Sequence, residues 1–249
     1  MIKFLGIIPA RYASTRFPGK PLALVNGVPM IQRVYQQALL AFQTVYVATD
    51  DERIMSAVKG FGGKVVMTSP THPSGTDRIC EALQTIEREE NTRYNVVFNV
   101  QGDEPYIQAE ALNQLKLCFE NPSTHIATLA KPIHSVDDIL NPNHVKLVKD
   151  NTGKALYFSR SPIPYLRNVP QDQWTEKYPY LKHLGIYAYR VDVLKEITKL
   201  SPSSLELAES LEQNRWIENG YNIRVEITEY ESISIDTPED LERVNNMNL

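Results

Sequence analysis

Arg11, Arg16 and Lys20 fall within one short stretch, Pro9-Ala10-Arg11-Tyr12-Ala13-Ser14-Thr15-Arg16-Phe17-Pro18-Gly19-Lys20-Pro21-Leu22, which holds no acidic residue. A guanidinium can grip two phosphate oxygens at once, and an ammonium acts as a compact point charge. Three such groups suit a polyanion such as a triphosphate. A polyphosphate usually arrives with Mg²⁺, which commonly takes only one or two protein carboxylates. Two aspartates could supply them: Asp103 in Gln101-Gly102-Asp103-Glu104-Pro105, and Asp236 in Asp236-Thr237-Pro238-Glu239-Asp240. Each feature alone has a plainer explanation. The basic stretch could be a solvated loop, Asp103 a turn residue and Asp236 a helix-start residue. Together they provide both halves of a metal–nucleotide site.

The elements needed to position these groups are written in the hydrophobic pattern. Phe4-Leu5-Gly6-Ile7-Ile8 reads as a fully buried first strand, and three prolines and one glycine bar a helix directly after it. Apolar residues at Met30, Ile31, Val34, Tyr35, Ala38, Leu39 and Phe42 then form a helical stripe. Strand patterns follow at 44–49, 64–67 and 96–100, alternating with helices. Ser74 or Thr76 can cap the helix that carries Ile79, Leu83 and Ile86, and Thr237 with Pro238 can open the closing helix. Strand-loop-helix repeated four times implies right-handed crossovers and a parallel sheet. In that order Asp103, after the fourth strand, comes beside the basic loop. A cationic loop at the carboxyl end of a first parallel strand is where open α/β sheets bind anions.

Past about residue 124 the rhythm changes. Strand patterns at 126–130, 145–148, 155–158, 183–189 and 224–227 are joined by a proline-rich stretch at 161–179, whose Tyr165, Trp174 and Tyr178, with Tyr180 just beyond, offer apolar mass to bury. Two helices are expected between the last two strands, at 191–200 and 205–218.

Several function classes are disfavoured. A net charge of -4, from 26 basic and 30 acidic residues, gives no global case for nucleic-acid or membrane binding. No apolar run approaches the roughly 18 residues that span a bilayer, and the apolar start is too short for a signal-peptide core. Cys80 and Cys118 show neither zinc spacing nor a disulfide framework, which fits a reducing cytoplasm. His72, His125, His134 and His144 also lack ligand spacing and read as structural or surface residues. Neither a P-loop nor a Gly-x-Gly-x-x-Gly turn is present.

The opening stretch, from Ile7 through Leu22, resembles the signature of the sugar-acid cytidylyltransferases. It is joined by His72-Pro73-Ser74-Gly75-Thr76-Asp77-Arg78, by Gln101 to Pro105, and by Ser159-Arg160-Ser161-Pro162-Ile163-Pro164-Tyr165. Lys182-His183-Leu184-Gly185-Ile186-Tyr187, Leu211-Glu212-Gln213 and the Asp236 motif complete the set. In that order the motifs are similar to the branch that takes 3-deoxy-manno-octulosonate (Kdo). The resemblance implies a three-layer, Rossmann-like α/β nucleotidyltransferase fold in one domain, residues 1–249, with a mixed, mainly parallel sheet. An excursion at about 131–190 would cover the acceptor and serve a homodimer contact. It further implies that CMP passes from CTP to the anomeric 2-hydroxyl of Kdo, with Mg²⁺, giving CMP-Kdo and pyrophosphate for lipopolysaccharide synthesis. Arg11, Arg16 and Lys20 would hold the phosphates. Pro9, Ala10, Ser74, Gly75, Thr76, Arg78 and Gln101 would frame the nucleotide, and Asp103 and Asp236 would bind the metal. Gln101, Arg160, Arg167, His183, Tyr187, Glu212 and Gln213 would line the sugar-acid site, with Arg11, Lys20, Asp103 and Asp236 closest to the chemistry.

Three positions depart from the pattern: Phe17 for a commoner leucine, Ser161 for a common alanine, and Asn214 for an apolar residue. None removes a charge or a candidate metal ligand. An amino-Kdo analogue or another sugar acid as acceptor, and a silent nucleotide-binding protein on the same scaffold, are the alternative readings.

Overall fold

The computed structural model describes residues 2–231 and 233–247. In chain order its elements are β1 (Phe4–Ala10), β2 (Leu24–Val25), β3 (Val28–Pro29), α1 (Met30–Ala41), β4 (Val45–Thr49), α2 (Glu52–Gly60), β5 (Val65–Met67), α3 (Gly75–Glu89), β6 (Val96–Asn99) and α4 (Ala109–Leu117). Then come β7 (Ile126–Pro132), α5 (Val136–Leu140), β8 (Lys146–Lys149), β9 (Ala155–Ser159), α6 (Trp174–Lys177), β10 (Leu181–Arg190), α7 (Val191–Ile197), α8 (Ser204–Glu209), α9 (Glu212–Glu218), β11 (Ile223–Ile227) and α10 (Pro238–Asn245). The sequence reading of one domain with an excursion at about 131–190 meets a chain that gathers into two compact units. Unit 1 takes the chain up to Asn113, Tyr189–Thr198 and the C-terminal stretch; unit 2 takes Gln114–Ala188 and Lys199–Glu231.

In unit 1 the strands run β6-β1-β4-β5, every pair parallel. Leu5, Ile7 and Ile8 of β1 are fully buried, and β4 is buried along its whole length, as central parallel strands must be. The chain leaves β1 toward β4 and β5, then returns to lay β6 on the other flank. That reversal makes the carboxyl ends of β1 and β6 a topological switch point, where open α/β sheets bind ligands. Pairing with β6 stops at Ile7↔Asn99, whereas pairing with β4 continues to Ala10↔Thr49. Helix starts follow the expected chemistry. Ser74 caps α3 through the Asp77 N–H, and Thr237 forms a reciprocal capping box with Asp240 ahead of Pro238.

In unit 2, β7 and β11 are parallel, while β8 is antiparallel to both β9 and β10. The mixed, mainly parallel α/β reading therefore holds. Trp174 and Tyr180 are buried with Ile133 and Ile139, so the proline-rich stretch does carry its own small core. Tyr165, expected in that core, is instead 74% exposed, with its ring perpendicular to that of Trp174 at 5.5 Å between centroids. The single helix expected over 205–218 is two. Ser210 takes a left-handed φ of 51° and breaks it, with the Leu211 N–H closing back on the Glu206 carbonyl. The helix expected over 191–200 stops at Ile197.

Candidate nucleotide site

The loop after β1 is shaped by its own backbone. The Tyr12 carbonyl accepts the N–H groups of Ser14 and Gly19, at 3.0 and 2.9 Å, which folds the loop on itself. Gly19 has φ 73°, a left-handed conformation that glycine takes without strain, and it launches a single 3₁₀ turn, Lys20–Leu22, with Pro21 in the first turn. The Tyr12 ring lies under the Arg53 guanidinium at 3.3 Å from the centroid, and Asp51 holds that guanidinium through both carboxylate oxygens.

The basic loop meets both aspartates. Lys20 Nζ donates to Asp103 Oδ2 at 2.8 Å and to Asp236 Oδ1 at 3.2 Å. Arg16 Nη2 donates to the same Asp236 oxygen at 3.0 Å. The backbone secures the arrangement, because the Ile235 N–H donates to the Asp103 carbonyl at 2.9 Å. Residues 83 and 216 positions from Lys20 thus share one ammonium. Arg11 is exposed and makes no hydrogen bond or ion pair among the described residues, so its donors are available to a ligand.

These groups line one cavity in unit 1. β1 contributes Pro9 and Ala10, the loop Arg11, Arg16 and Lys20, and the start of α3 Ser74, Gly75 and Arg78. Gln101, Gly102, Asp103 and Asp236 complete the wall. Of the residues expected around the nucleotide, Thr76 alone is not in that wall; it is 2% exposed, inside the first turn of α3. Arg78 touches the cavity, but its guanidinium is committed elsewhere. Nη2 donates to Asp50 Oδ2 at 2.8 Å and Nη1 to Thr68 Oγ1 at 2.6 Å. Arg78 therefore fastens the first turn of α3 to the ends of β4 and β5.

His72, expected as a structural or surface residue, lines the cavity as well. Its Nε2 pairs with Glu81 Oε2, and the Ser69 N–H donates to the same oxygen at 2.9 Å. Burial pushes the Glu81 carboxyl up, but the hydrogen bonds from His72 and Ser69 outweigh it and hold it below the usual value. The available signal was the position of His72 at the head of the Ser74–Arg78 loop.

The expected sugar-acid residues other than Gln101 belong to unit 2. Arg160 Nε donates to the Glu209 carbonyl at 2.7 Å and Nη1 to the Pro142 carbonyl at 3.1 Å. These acceptors are neutral carbonyls, although the Glu209 carboxylate lies close by: burial pushes it up, and the Arg160 charge helps hold it below the usual carboxylate value. Glu209, which the sequence did not flag, accepts from Ser159 Oγ (2.6 Å), Tyr157 OH (3.2 Å) and the Arg160 N–H (2.9 Å). His183 is half-buried, with its Nε2 3.0 Å from Thr128 Oγ1 and its ring 5.0 and 5.2 Å from the rings of Phe158 and Tyr187. Burial pushes its pKa down to about 3, so it is neutral at physiological pH. Gln213 is buried, whereas Glu212 is half-buried and 3.7 Å from Arg215. Arg167 is exposed and without a partner among the described residues. Asn214, the departure from an apolar residue, donates to the Phe158 carbonyl at 3.0 Å and so ties α9 to β9.

Residues 5–232 match the family model described as Cytidylyltransferase. The 3-deoxy-manno-octulosonate cytidylyltransferase of Parabacteroides distasonis is 58% identical, over 98% of this chain and 97% of that protein. The protein of that name from Phocaeicola vulgatus is 59% identical, over 97% and 96%. A solved CMP:2-keto-3-deoxy-manno-octonic acid synthetase complexed with CTP is 44% identical, covers 98% of this chain and 97% of its own, and superposes with a TM-score of 0.88. A cation-lined cavity at the switch point, with matches of this depth along nearly the whole chain, places it in the cytidylyltransferase family, among its 3-deoxy-manno-octulosonate cytidylyltransferases.

Proposed function

We propose that the protein transfers CMP from CTP to the anomeric 2-hydroxyl of Kdo, releasing pyrophosphate and supplying CMP-Kdo for lipopolysaccharide synthesis. The observation that carries this reading is the convergence of Arg11, Arg16 and Lys20 with Asp103 and Asp236 on one cavity at the β1/β6 switch point. The bond that forms joins the Kdo oxygen to the α-phosphorus; the bond that breaks frees pyrophosphate. Displacement at phosphorus asks a protein mainly for positioning and charge stabilisation. Arg11, Arg16 and Lys20 would take the charge of the triphosphate and of the leaving pyrophosphate. Pro9, Ala10, Ser74 and Gly75 frame the base and sugar, which the phosphate contacts cannot select.

Asp103 and Asp236 fit a divalent cation. They already share one cation, Lys20 Nζ, and their hard oxygens suit Mg²⁺. Among the described residues no group of three or more His, Cys, Asp or Glu side chains forms an all-protein metal cage. When bound, Mg²⁺ neutralises triphosphate charge and activates an oxygen nucleophile. In unit 2, Arg160 and Arg167 offer charge to the Kdo carboxylate. Neutral His183, with Tyr187 and Gln213, offers hydrogen bonds to the sugar hydroxyls.

We also place the enzyme in the cytoplasm, where its two free, buried cysteines stay reduced. No helix among the described residues is long and apolar enough to cross a membrane. A homodimer is part of the same proposal, and the exposed Leu140, Leu156, Tyr165 and Leu207 of unit 2 give it apolar surface to bury.

Incubation with CTP, Mg²⁺ and Kdo should release pyrophosphate and yield CMP-Kdo. Failure with Kdo, but turnover with an amino-Kdo analogue or a nine-carbon sugar acid, would move the acceptor; failure with all of them would sink the enzyme. Geometry at Gly102 provides a second prediction. A Cβ there would lie 2.9 Å from the Pro9 carbonyl oxygen, a backbone atom that cannot swing aside. Gly102→Ala must therefore displace the Gln101–Asp103 loop. Since a shift of about 1 Å can cost on the order of a hundredfold, kcat is expected to fall at least about tenfold. Steady-state kinetics showing wild-type turnover would contradict the close approach.

A further inference from the structure

We infer that Lys20, assisted by Arg16, is a resident counter-ion for the metal site. It neutralises Asp103 and Asp236 before substrate arrives and is transferred to the nucleotide when the metal takes its place. This rests on the reading of those two aspartates as metal ligands, and it concerns the order and coupling of binding at that site.

The ammonium stands between carboxylates contributed by two distant loops, at 2.8 and 3.2 Å, and Arg16 shares the Asp236 oxygen at 3.0 Å. Two of the three Nζ–H donors are thereby used; the third has no protein partner among the described residues, in a side chain that lines the nucleotide cavity. The Lys20 side chain is only 16% exposed. Its stem is thus packed while its head sits at the cavity wall, within reach of a new anion after small changes of side-chain torsion.

Charge accounting then couples the two ligands. A divalent cation arriving alone must displace an ammonium, and that ammonium is left without an anion. CTP arriving alone can draw Lys20 and Arg16 onto its phosphates, but it leaves two carboxylates unpaired beside its own negative charge. Arriving together, each ligand relieves what the other disturbs: the cation takes the carboxylates, and the freed ammonium and guanidinium take the phosphates. Metal and CTP therefore bind with positive coupling, and by linkage each tightens the other by the same factor. The latch also keeps the empty site ordered, with its acidic loops already juxtaposed.

The inference predicts a counter-intuitive sign: removing a positive charge from the nucleotide site should improve metal binding. Mn²⁺, followed by the loss of its free EPR signal, is titrated against the full chain without nucleotide. Lys20→Gln is expected to bind Mn²⁺ about tenfold more tightly than wild type, the scale set by one competing charge at contact distance in a partly screened site. Arg16→Gln should shift in the same direction by less, because it touches only Asp236 and is more exposed, and it guards against misfolding of the first variant. The factor by which CTP tightens Mn²⁺ should shrink in Lys20→Gln. Unchanged or weaker Mn²⁺ binding in both variants overturns the latch. An Asp103→Asn/Asp236→Asn double variant separates the two readings. If it abolishes Mn²⁺ binding while the cation variants behave as wild type, the latch alone fails; if it binds as wild type, the metal assignment fails as well.

Discussion

Asp103→Asn and Asp236→Asn are each expected to lower kcat by at least about a hundredfold while leaving the fold intact. A divalent cation on a transferring phosphoryl group is worth several kcal/mol of transition-state stabilisation, and about 1.4 kcal/mol is a tenfold change in rate. An amide oxygen keeps the shape and a single hydrogen bond but loses the charge that holds a hard cation. Stability should hardly change, because both carboxylates are part-exposed, at 27% and 36%, and ion pairs of that kind contribute about 0–1 kcal/mol. The Ile235 N–H bond to the Asp103 carbonyl also survives, so the two loops stay joined. The two residues act on one ion, so their effects should not add. The double variant is expected to be little slower than the worse single one, as for groups that work as a unit. Single-turnover pyrophosphate release, with circular dichroism alongside, measures both claims. Near-normal rates in both single variants would remove the metal from these residues.

The parts of this site that could be read from sequence were those governed by local rules. Of Ser74 and Thr76, both able to cap by residue type, Ser74 makes the cap of α3, and Thr237 ahead of Pro238 makes that of α10. The apolar run of β1 and the proline-glycine chemistry after it fix where a loop must open, and parallel alternation brings Asp103 toward that loop. Asp236, far away in the chain, joins it by chemistry and resemblance rather than by any local pattern. What stayed hidden depends on partners distant in sequence or on unmarked backbone. The ammonium shared by Asp103 and Asp236 is invisible in the motifs, which give each group a separate duty. Arg78 reads as a nucleotide ligand, yet its guanidinium is committed to Asp50 and Thr68. His72 reads as structural or surface because its partner Glu81 is nine residues further on, inside α3, where no ligand spacing registers. The break at Ser210 carries neither glycine nor proline, so the periodicity of 205–218 runs straight through it. Glu209 carries no local mark either; its role comes from the end of β9 converging on it.

The Asp50–Arg78 pair should yield a large stability effect in unit 1. The two side chains are 14% and 5% exposed, and their contact is 2.8 Å. Removing one partner of a buried pair costs about 3–5 kcal/mol, because the other charge stays buried without compensation. Asp50→Ala is therefore expected to destabilise by that amount, leaving the Arg78 guanidinium with Thr68 Oγ1 as its remaining polar anchor. Asp50→Asn keeps an acceptor in place and should cost less, about 1–3 kcal/mol, the scale of a weakened bond to a charged group. The decisive variant is the double replacement Asp50→Ala/Arg78→Met. With neither charge buried, it should recover much of the loss, since a buried pair is worth far less than either of its halves is costly. Urea unfolding midpoints for the wild type, Asp50→Ala, Arg78→Met and the double variant close this cycle. Additive losses would mean that the two side chains contribute through packing alone. The cycle also has a functional reading, because Arg78 ties the first turn of α3, and with it Ser74 and Gly75 of the cavity wall, to the ends of β4 and β5. Asp50→Asn, the milder change, should raise the KM for CTP and leave that for Kdo in place, since the disturbance falls on the nucleotide side.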